Sequence, residues 1–435
     1  MLLILTSAIT NRLRYIADLM LRDMLGLGVA FTTSMDEFQS HPGPKLAYTA
    51  GSEPDAPRVA PSPLLFEDGI KVQEAFPFMV DSLPLIFKSE DQLSALPFDP
   101  FAAGFYMASR YEEYLPFIKD KYGRFPADGS VAWQGKFLDI PIVHLWADMV
   151  KKLLERHYPG IQFNPQRYRF VPTIDVDHAW CYRERPLLRS LGGAGRAFMS
   201  GRFNDISKRI RVLAGLAADP FDTFEYILKV LEPSGAHPLF FILFADYGGD
   251  DNNVNIRSKA FRQLVRELDQ HQGVGVHPSL SSNKHYLKLQ AECSGLGSVL
   301  DRQVTRSRQH FLKFSVPRTY RALHQVGITE DYTMGYASHP GFRAGVAIPY
   351  PFFDISRNLA TSLLIHPITI MDVTMKDYLR LNPEQSLEMI RNLVSAVKSV
   401  NGEFVSLWHN ESLCETGRWQ GWRRVFEEMV IMAST

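Results

Sequence analysis

A series of short apolar segments in residues 168–435 most strongly constrains the fold of this chain. The segments RFVPTIDVDH, PLFFILFADYGG and EFVSLWHNES are of strand length, and each ends in acidic, histidine or turn residues. Segments with helical periodicity, such as FRQLVRELDQHQ, separate several of them. This alternation predicts a parallel α/β architecture. In a (β/α) barrel the carboxyl ends of the strands line one face, so the polar residues there are predicted to form one site.

The length of 435 residues indicates two or three domains. A turn signal at Pro159-Gly160 and a polar stretch after it predict a boundary near residue 167. Residues 1–167 begin with a strand, an amphipathic helix and a second strand, which predicts an N-terminal α/β domain. No catalytic motif is recognisable in it, and we expect it to shape the substrate cleft or to mediate assembly. Residues 168–435 form the second predicted domain.

Composition excludes several classes of function. Lys plus Arg and Asp plus Glu both number 47, so no net charge favours nucleic-acid binding. Three cysteines are too few for a disulfide scaffold and indicate a reducing compartment, for which the cytoplasm is the expectation. No apolar run approaches the roughly 18–20 residues that span a bilayer, and the apolar start lacks the basic residues of a signal peptide. Phosphate-loop, dinucleotide-binding and serine-hydrolase motifs are absent from the sequence.

Six residues at the predicted strand ends carry groups suited to metal and acid–base chemistry. They are Asp175, Asp177, His277, Arg308, His310 and His409. Residues two apart on a strand face the same side, so the two aspartates are expected to point into one site. Carboxylate and imidazole bind divalent metals, and a bound metal polarises a carbonyl and lowers the pKa of water. With a further carboxylate as base and a further histidine as acid, the predicted chemistry is metal-assisted hydrolysis.

The order of these motifs resembles that of the NodB-type polysaccharide deacetylases (carbohydrate esterase family 4), and in particular a two-domain bacterial subfamily. The resemblance covers roughly residues 168–435. It implies a distorted (β/α) barrel, a divalent metal with zinc expected, and removal of acetyl groups from an amino-sugar glycan. The segment Thr173–Asp177 is similar to the first motif of the family, which makes Asp175 the general base and Asp177 a metal ligand. His277 corresponds to the first metal-binding histidine of the second motif.

The later motifs imply further roles. Arg308-Gln309-His310-Phe311 is similar to the R-x-P-[YF] motif, so Arg308 would orient Asp175 and the Phe311 backbone N–H would help to hold the oxyanion. Asp331 resembles the aspartate that braces the catalytic histidine. Leu407-Trp408-His409 is similar to the L-x-H motif, which makes His409 the general acid and places Leu407 in the acyl pocket.

One departure from the family bears on the metal. The second histidine of its H-[ST]-x-x-H motif is replaced by Ser281, and a hydroxyl is a poor substitute for imidazole on zinc. His310 is the first candidate for the missing ligand, followed by His285 and His178. Two alternatives to a deacetylase stay open: a sugar-binding pseudoenzyme that has lost the metal, and a hydrolase of another C–N or ester bond.

Four other residues are weaker candidates. Arg343, in the segment GFRAG, could lie at the mouth and hold a sugar hydroxyl, carboxylate or phosphate, or belong to a surface turn. Trp408 could stack on a sugar ring or pack in the core. His366 and Asp372 also follow an apolar run and could contribute to the site.

Relative to the resembled family, the region 181–219 is expected to be an insertion. Between 183 and 211 it holds eight basic and two acidic residues, with apolar side chains interleaved. Basic and apolar residues together favour contact with an anionic membrane surface or with the diphosphate of a lipid-linked glycan. A solvated lid with ordinary helix packing is the alternative.

Overall fold

The computed structural model describes residues 1–51, 56–184, 203–246, 248, 251, 253–271 and 273–435. The predicted insertion at 181–219 therefore falls partly outside the described residues, since 185–202 are not among them. No helix in the described part of the chain is long and apolar enough to cross a membrane.

The N-terminal region contains two small sheets. Its strands are β1 (Leu2–Thr6), β2 (Val29–Thr32), β3 (Lys45–Tyr48), β4 (Phe78–Val80) and β5 (Leu83–Leu85). The first three form a parallel sheet in the order β2-β1-β3, and β4 and β5 form an antiparallel pair. The described helices are Asn11–Ala17, followed directly by the π-helix Asp18–Met24, then Met35–Ser40, Pro100–Ala108, Val131–Gln134 and Ile142–His157. The predicted strand–helix–strand start is therefore present.

Asp99 shows how the sequence begins one of these helices. Its carboxylate accepts the backbone N–H groups of Phe101 and Ala102 at 3.0 Å each, which satisfies two donors that the first helical turn leaves open. The Ser62 backbone N–H and the Tyr48 hydroxyl donate to its other oxygen. Burial raises the pKa of Asp99 to about 6, although all four hydrogen bonds favour the charged form.

The second region is built on a nine-stranded sheet. Its strands are β6 (Arg169–Val176), β7 (Leu239–Ile242), β8 (Val274–Val276), β9 (Arg306–Ser307), β10 (Glu330–Asp331), β11 (Tyr350–Asp354), β12 (Leu359–Ile365), β13 (Ile370–Met371) and β14 (Glu403–His409). They lie in the order β11-β12-β10-β9-β8-β7-β6-β14-β13. All neighbours are parallel except β11 and β12. The parallel α/β architecture predicted from the alternating pattern is therefore present.

The predicted barrel is not closed by strand pairing. In the part of the chain that the structure describes, no ladder joins the edge strands β11 and β13. The connection between β12 and β13 crosses the opening instead: the His366 N–H donates to the Asp331 carbonyl, and the Thr369 N–H donates to the Val405 carbonyl. The segment His366–Thr369 thus runs from β10 to β14.

Helices cover this sheet. The described ones are Phe203–Leu213, Phe224–Leu231, Lys259–Asp269, Tyr286–Leu300, Arg318–Gln325, Pro383–Ser399 and Trp422–Ser434. The helix Pro383–Ser399 begins with a capping box, in which Asn382 and Gln385 each accept the other's backbone N–H. It buries Leu387, Ile390 and Val394 at helical spacing, which fixes the face it presents to the core.

The two regions share one core. Aromatic residues of the first region pack on the second, as in the T-shaped contact of Phe105 with Phe353 at 5.0 Å. Backbone hydrogen bonds also cross between them, from Val143 N–H to Gly345 and from Phe342 N–H to Leu138. At Gly341, with a φ of +112°, an added Cβ would lie 2.3 Å from the Leu138 carbonyl oxygen, so only glycine allows this approach. The N-terminal region is therefore packed directly against the sheet.

Candidate metal centre and catalytic cleft

The carboxyl ends of adjacent strands bring the predicted residues together. Asp175 on β6 lies beside His409 on β14 in the sheet register, and Val276 on β8 lies beside Ser307 on β9. The residues at and just after these strand ends line a cavity of about 430 Å³. Its polar walls include Asp175, Asp177, His277, His310 and His409.

Asp177, His277 and His310 form a three-residue cluster. One ligand atom from each lies within 4.8 Å of the other two. The Nε2 atom of His277 is 3.2 Å from one Asp177 oxygen, and the Nε2 atom of His310 is 3.5 Å from the other. The third member, His310, thus comes from the turn after β9, as expected of the first candidate for the missing ligand.

Hydrogen bonds on the far side of each ring orient the two histidines. The Nδ1 atom of His277 is 2.6 Å from the Arg308 carbonyl oxygen, and that of His310 is 2.9 Å from an Asp251 oxygen. Such contacts fix ring orientation and leave the second nitrogen free for a metal. Both Nε2 atoms consequently face Asp177.

The donor set fits a divalent metal. One carboxylate and two imidazoles are the ligand types that catalytic zinc sites use, with a further position open to water or substrate. The buried Asp177 Oδ1 atom lies 3.2 Å from His277 Nε2 but makes no hydrogen bond of good geometry, so a bound cation would supply the partner that it lacks. Burial opposes the charge of Asp177, but the nearby His310 and His277 rings outweigh it and hold its pKa well below the usual range. The chain therefore has a possible His/Asp metal site.

His310 is held between two carboxylates. Burial lowers the pKa of His310, but the charge of Asp177 and the hydrogen bonds to Asp177 and Asp251 outweigh it and raise the pKa to about 9. The same negative surroundings would favour a metal cation in place of the proton.

Asp175 does not have the same surroundings as Asp177. The Arg308 Nη1 atom donates to its Oδ1 at 2.9 Å, and its Oδ2 lies 3.7 Å from His277 Nε2. Arg308 is fully buried, donates through Nε to the Tyr332 carbonyl, and lies over the Phe241 ring. This arrangement keeps one carboxylate oriented beside the three-residue cluster, which is the contact that the resemblance implies for Arg308.

His409 faces the cluster from β14, the strand beside β6. Its Nε2 atom lies 3.8 Å from Asp177, and its Nδ1 atom is 2.9 Å from Asp372. The His409 backbone N–H also donates to Asp372, so two contacts fix this ring. Burial lowers the pKa of His409, but the charge and hydrogen bond of Asp372 outweigh it and raise the pKa to about 10.

The predicted brace of this histidine is corrected from Asp331 to Asp372. Asp331 is fully buried on β10, where its carboxylate accepts from Ser307 and from the hydroxyl and N–H of Thr333. Burial raises the pKa of Asp331 to about 6. Asp372 follows β13, the strand directly beside β14, and this neighbour relation places it at His409.

An apolar wall lies next to these polar groups. Leu407 faces the cavity with Leu312, Ala337 and Met371, and these side chains pack together with Ile368. Phe311 also lines the cavity, and its backbone follows His310 directly. The cleft therefore combines a charged side with a small apolar one.

Two predicted substrate contacts are corrected. Arg343 is buried, donates to both Glu113 oxygens at 2.9 and 2.7 Å and to the Gly335 carbonyl, and so joins the two regions. Trp408 is fully buried and packs on Trp422 and Phe426, because alternation along β14 directs it away from the cleft.

The alternative metal ligands lie elsewhere. The Ser281 hydroxyl contacts Ser279 and Lys288, and the His178 ring contacts Glu411. His285 is exposed at the start of the helix Tyr286–Leu300. His366, the other histidine considered for the site, follows β12 beside Asp331. Its ring contacts Glu403 and stacks on Tyr332.

Several residues of the cleft are not evident from the sequence. Asp251 lies in the acidic stretch after β7, and only the folded loop brings it to His310. The N-terminal region contributes Lys121, Tyr122 and Arg124 to the cavity wall. A turn signal, Asp120-x-x-Gly123, marks this loop in the sequence, but nothing local indicates that it reaches the cleft.

A second cavity of about 260 Å³ adjoins the first. The two share Lys121, Arg124, Leu312, Ala337 and Tyr378 as wall residues. His339 also lines the second cavity, and its ring makes a T-shaped contact with Trp133 at 4.6 Å. The cleft thus extends from the three-residue cluster along the N-terminal loop that contains Lys121 and Arg124.

Comparison with known proteins gives a family match over the N-terminal region and distant similarity to solved structures. The model of a family of unknown function (DUF7033) matches residues 2–159, and no curated protein matches the chain. A structure described as a candidate polysaccharide deacetylase from Mycobacterium smegmatis is similar at 14% identity and a TM-score of 0.41, covering 64% of this chain and 86% of its own. Puue allantoinase is similar at 12% identity and a TM-score of 0.37, covering 72% and 91%.

Proposed function

We propose that this protein is a metal-dependent hydrolase that removes N-acetyl groups from an amino sugar of a bacterial polysaccharide or lipid-linked glycan. The observation that carries the proposal is the convergence of Asp177, His277 and His310, flanked by the separately oriented Asp175 and His409. Two carboxylates and three imidazoles with different partners can divide ligand, base and acid roles among them.

Asp177, His277 and His310 would hold the metal, for which zinc is the expected ion. A divalent metal here would polarise the scissile carbonyl and lower the pKa of a water molecule. Asp175 serves as the general base: its Oδ1 is held by Arg308, while Oδ2 lies on the side of the metal cluster. The base accepts the proton of the attacking water at this carboxylate.

His409 is the general acid. Because Asp372 holds Nδ1, the proton available to the leaving group is the one on Nε2, which faces Asp177 across the cleft. Protonation of the sugar nitrogen by His409 releases a free amine, and the acyl carbon leaves as acetate.

In this proposal the apolar wall of the cleft binds the methyl group of the acetyl substituent. A methyl group fits against Leu407 and Met371, where apolar contact replaces water. The Phe311 backbone N–H is the proposed donor to the oxyanion. The adjoining cavity beside His339 offers room for the part of the glycan beyond the acetylated sugar.

A substrate screen tests this proposal. The metal-loaded full chain is incubated with N-acetylated chito-oligosaccharides, peptidoglycan fragments, O-acetylated sugars and non-sugar amides, and acetate and free amine are measured. Acetate release from N-acetylated sugars, lost in both Asp177→Ala and His409→Ala, is the expected result. Release only from esters or non-sugar amides would replace the substrate class, and no turnover with bound sugar would favour a binding protein.

We also propose a peripheral membrane contact through the basic stretch 183–211 and the helical end that follows it. In the described part, Ile210, Leu213 and Leu216 are 61%, 53% and 71% exposed. Lys208 and Arg211 lie with Ile210 and Leu213 on the helix Phe203–Leu213, and Leu216 follows that helix. Exposed apolar and basic side chains together suit an anionic lipid surface. Co-sedimentation with vesicles containing phosphatidylglycerol should fall in the Ile210→Ser/Leu213→Ser/Leu216→Ser variant, whereas equal binding would contradict the contact.

A further inference from the structure

The turn that carries His310 has an unusual backbone. Phe311 has a φ of +59° and Leu312 a φ of +50°. Bulky residues rarely adopt this left-handed conformation, which persists only where the surroundings enforce it. Two such residues follow the third member of the metal cluster directly, so something must hold the turn in place.

Arg124 of the N-terminal region makes that contact. Its Nη1 atom donates to the Phe311 carbonyl at 2.6 Å, and its Nη2 atom lies 3.3 Å from the Tyr378 hydroxyl. The Arg124 side chain is only 7% exposed, so water does not compete strongly for these contacts. The Tyr122 ring packs on the Phe311 ring at 5.2 Å, which adds a second contact from the same loop.

The loop that presents Arg124 is itself held rigid. Asp120 accepts the backbone N–H groups of Tyr122 and Arg124 through Oδ1 and pairs with the Arg124 Nε atom at 2.7 Å through Oδ2. Gly123 has a φ of +82°, the conformation that lets the loop turn back so that the Asp120 N–H reaches the Arg124 carbonyl. The guanidinium is therefore oriented before it meets the turn.

We propose that Arg124 is a positioning residue for the metal centre: it holds the left-handed Phe311–Leu312 turn and thereby keeps His310 directed at Asp177. The proposal rests on the proposed function, because the turn matters for a metal only if His310 is a ligand. The N-terminal region would then complete the metal site rather than only cover it.

Zinc binding and backbone exchange in the full chain test this role. The dissociation constant for Zn²⁺ is measured by calorimetry on the metal-stripped wild type, Arg124→Ala and Arg58→Ala. Arg58 is a matched control, because it is equally buried in the N-terminal region and also contacts one carboxylate and one carbonyl. Hydrogen exchange is followed in the same metal-free proteins over residues 306–316.

We expect Arg124→Ala to weaken zinc binding by about 10- to 100-fold, as loss of an outer contact to a metal site does. We also expect it to speed exchange in 306–316, while Arg58→Ala does neither. Unchanged exchange, or faster exchange with unchanged zinc affinity, would overturn the positioning role. Absence of zinc binding by the wild type would instead overturn the proposed function, and the exchange measurement would still decide whether Arg124 holds the turn.

Discussion

The two regions of this protein contribute to the cleft in different ways. The second region supplies the groups proposed to react, because the ends of its parallel strands bring Asp175, His277 and His409 together. The N-terminal region supplies a loop and buried charges, among them Arg124 and Glu113. Strand-end chemistry can be recognised in a sequence, whereas support from a distant loop cannot, because its contacts exist only in the folded chain.

The largest effects on kcat are expected from substitutions of the proposed proton-transfer residues in the second region. Asp175→Asn and His409→Gln each remove a proton-transfer group, so kcat should fall by about 10²- to 10⁴-fold. Zinc content should stay at the wild-type level in both variants, because neither residue belongs to the three-residue cluster. Steady-state kinetics on the substrate found by the screen, together with metal analysis, check this. Wild-type kcat in either variant would remove that residue from the mechanism.

The buried charges between the regions should affect stability next most strongly. Glu113→Gln leaves Arg343 and Arg110 without a charged partner that both contact in the native state. Loss of one partner from a buried ion pair costs about 3–5 kcal/mol, which urea denaturation can measure. Glu90→Gln is the control, because Glu90 pairs with Lys88 in an exposed position and its loss should have no measurable effect. Equal denaturation midpoints for both variants would show that the regions are not joined through these charges.

Asp372→Asn separates the observed brace of His409 from the one expected by resemblance. An amide at this position leaves the imidazole orientation and charge unsupported, so kcat should fall by about 10²-fold, somewhat less than on loss of His409 itself. Asp331→Asn should leave kcat unchanged, because Asp331 contacts Ser307 and Thr333 instead. The opposite ranking of these two variants would restore Asp331 as the brace.

A smaller, pH-dependent effect is expected at His144, which links the regions by accepting the Ala347 backbone N–H. Burial lowers the pKa of His144 to about 3, whereas an unfolded histidine titrates near 6.5. Below pH 6.5 the unfolded chain therefore binds a proton that the folded chain does not. The unfolding free energy should fall by up to about 1.4 kcal/mol per pH unit toward pH 3 from this group.

His144→Gln tests this contribution to the pH dependence of the unfolding free energy, because glutamine keeps a hydrogen-bond acceptor but does not titrate. Urea denaturation of wild type and variant at pH 7.5, 6.0 and 5.0 should give a difference in unfolding free energy that shifts in favour of the variant as the pH falls. A difference that stays constant over this range would contradict a neutral buried His144.

Some features of the site and fold could be predicted from the sequence and others could not, for physical reasons. The strand-end pattern located Asp175, Asp177, His277, His310 and His409, and the structure brings all five to one cleft. Alternation along β14 could also have assigned Trp408 to the core, since Leu407 and His409 share the opposite face. The resemblance implies a distorted barrel, but in the described residues no ladder joins the edge strands β11 and β13, and the motifs do not encode which edge strands pair.

The partners of the reactive groups could not be predicted in the same way. Asp251 and Arg124 reach His310 and Phe311 only through the folded structure, at sequence distances of 59 and 187 residues. Asp372 follows an apolar run and is a site candidate from the sequence, but its contact with His409, 37 residues away, is seen only in the structure. No local pattern assigns Asp251 or Arg124 such a role among the 47 acidic and 47 basic residues. The N-terminal contribution to the cleft is therefore visible only in the structure.

The central claim is that His310 replaces the missing histidine at position 281 as the third metal ligand. Metal content by mass spectrometry of the purified full chain, after loading with Zn²⁺ and dialysis, tests it most directly. The wild type and His285→Ala, which alters an exposed histidine outside the cluster, should hold close to one zinc per chain. Asp177→Ala, His277→Ala and His310→Ala should each lose it, whereas full zinc in His310→Ala, or none in the wild type, would contradict the account.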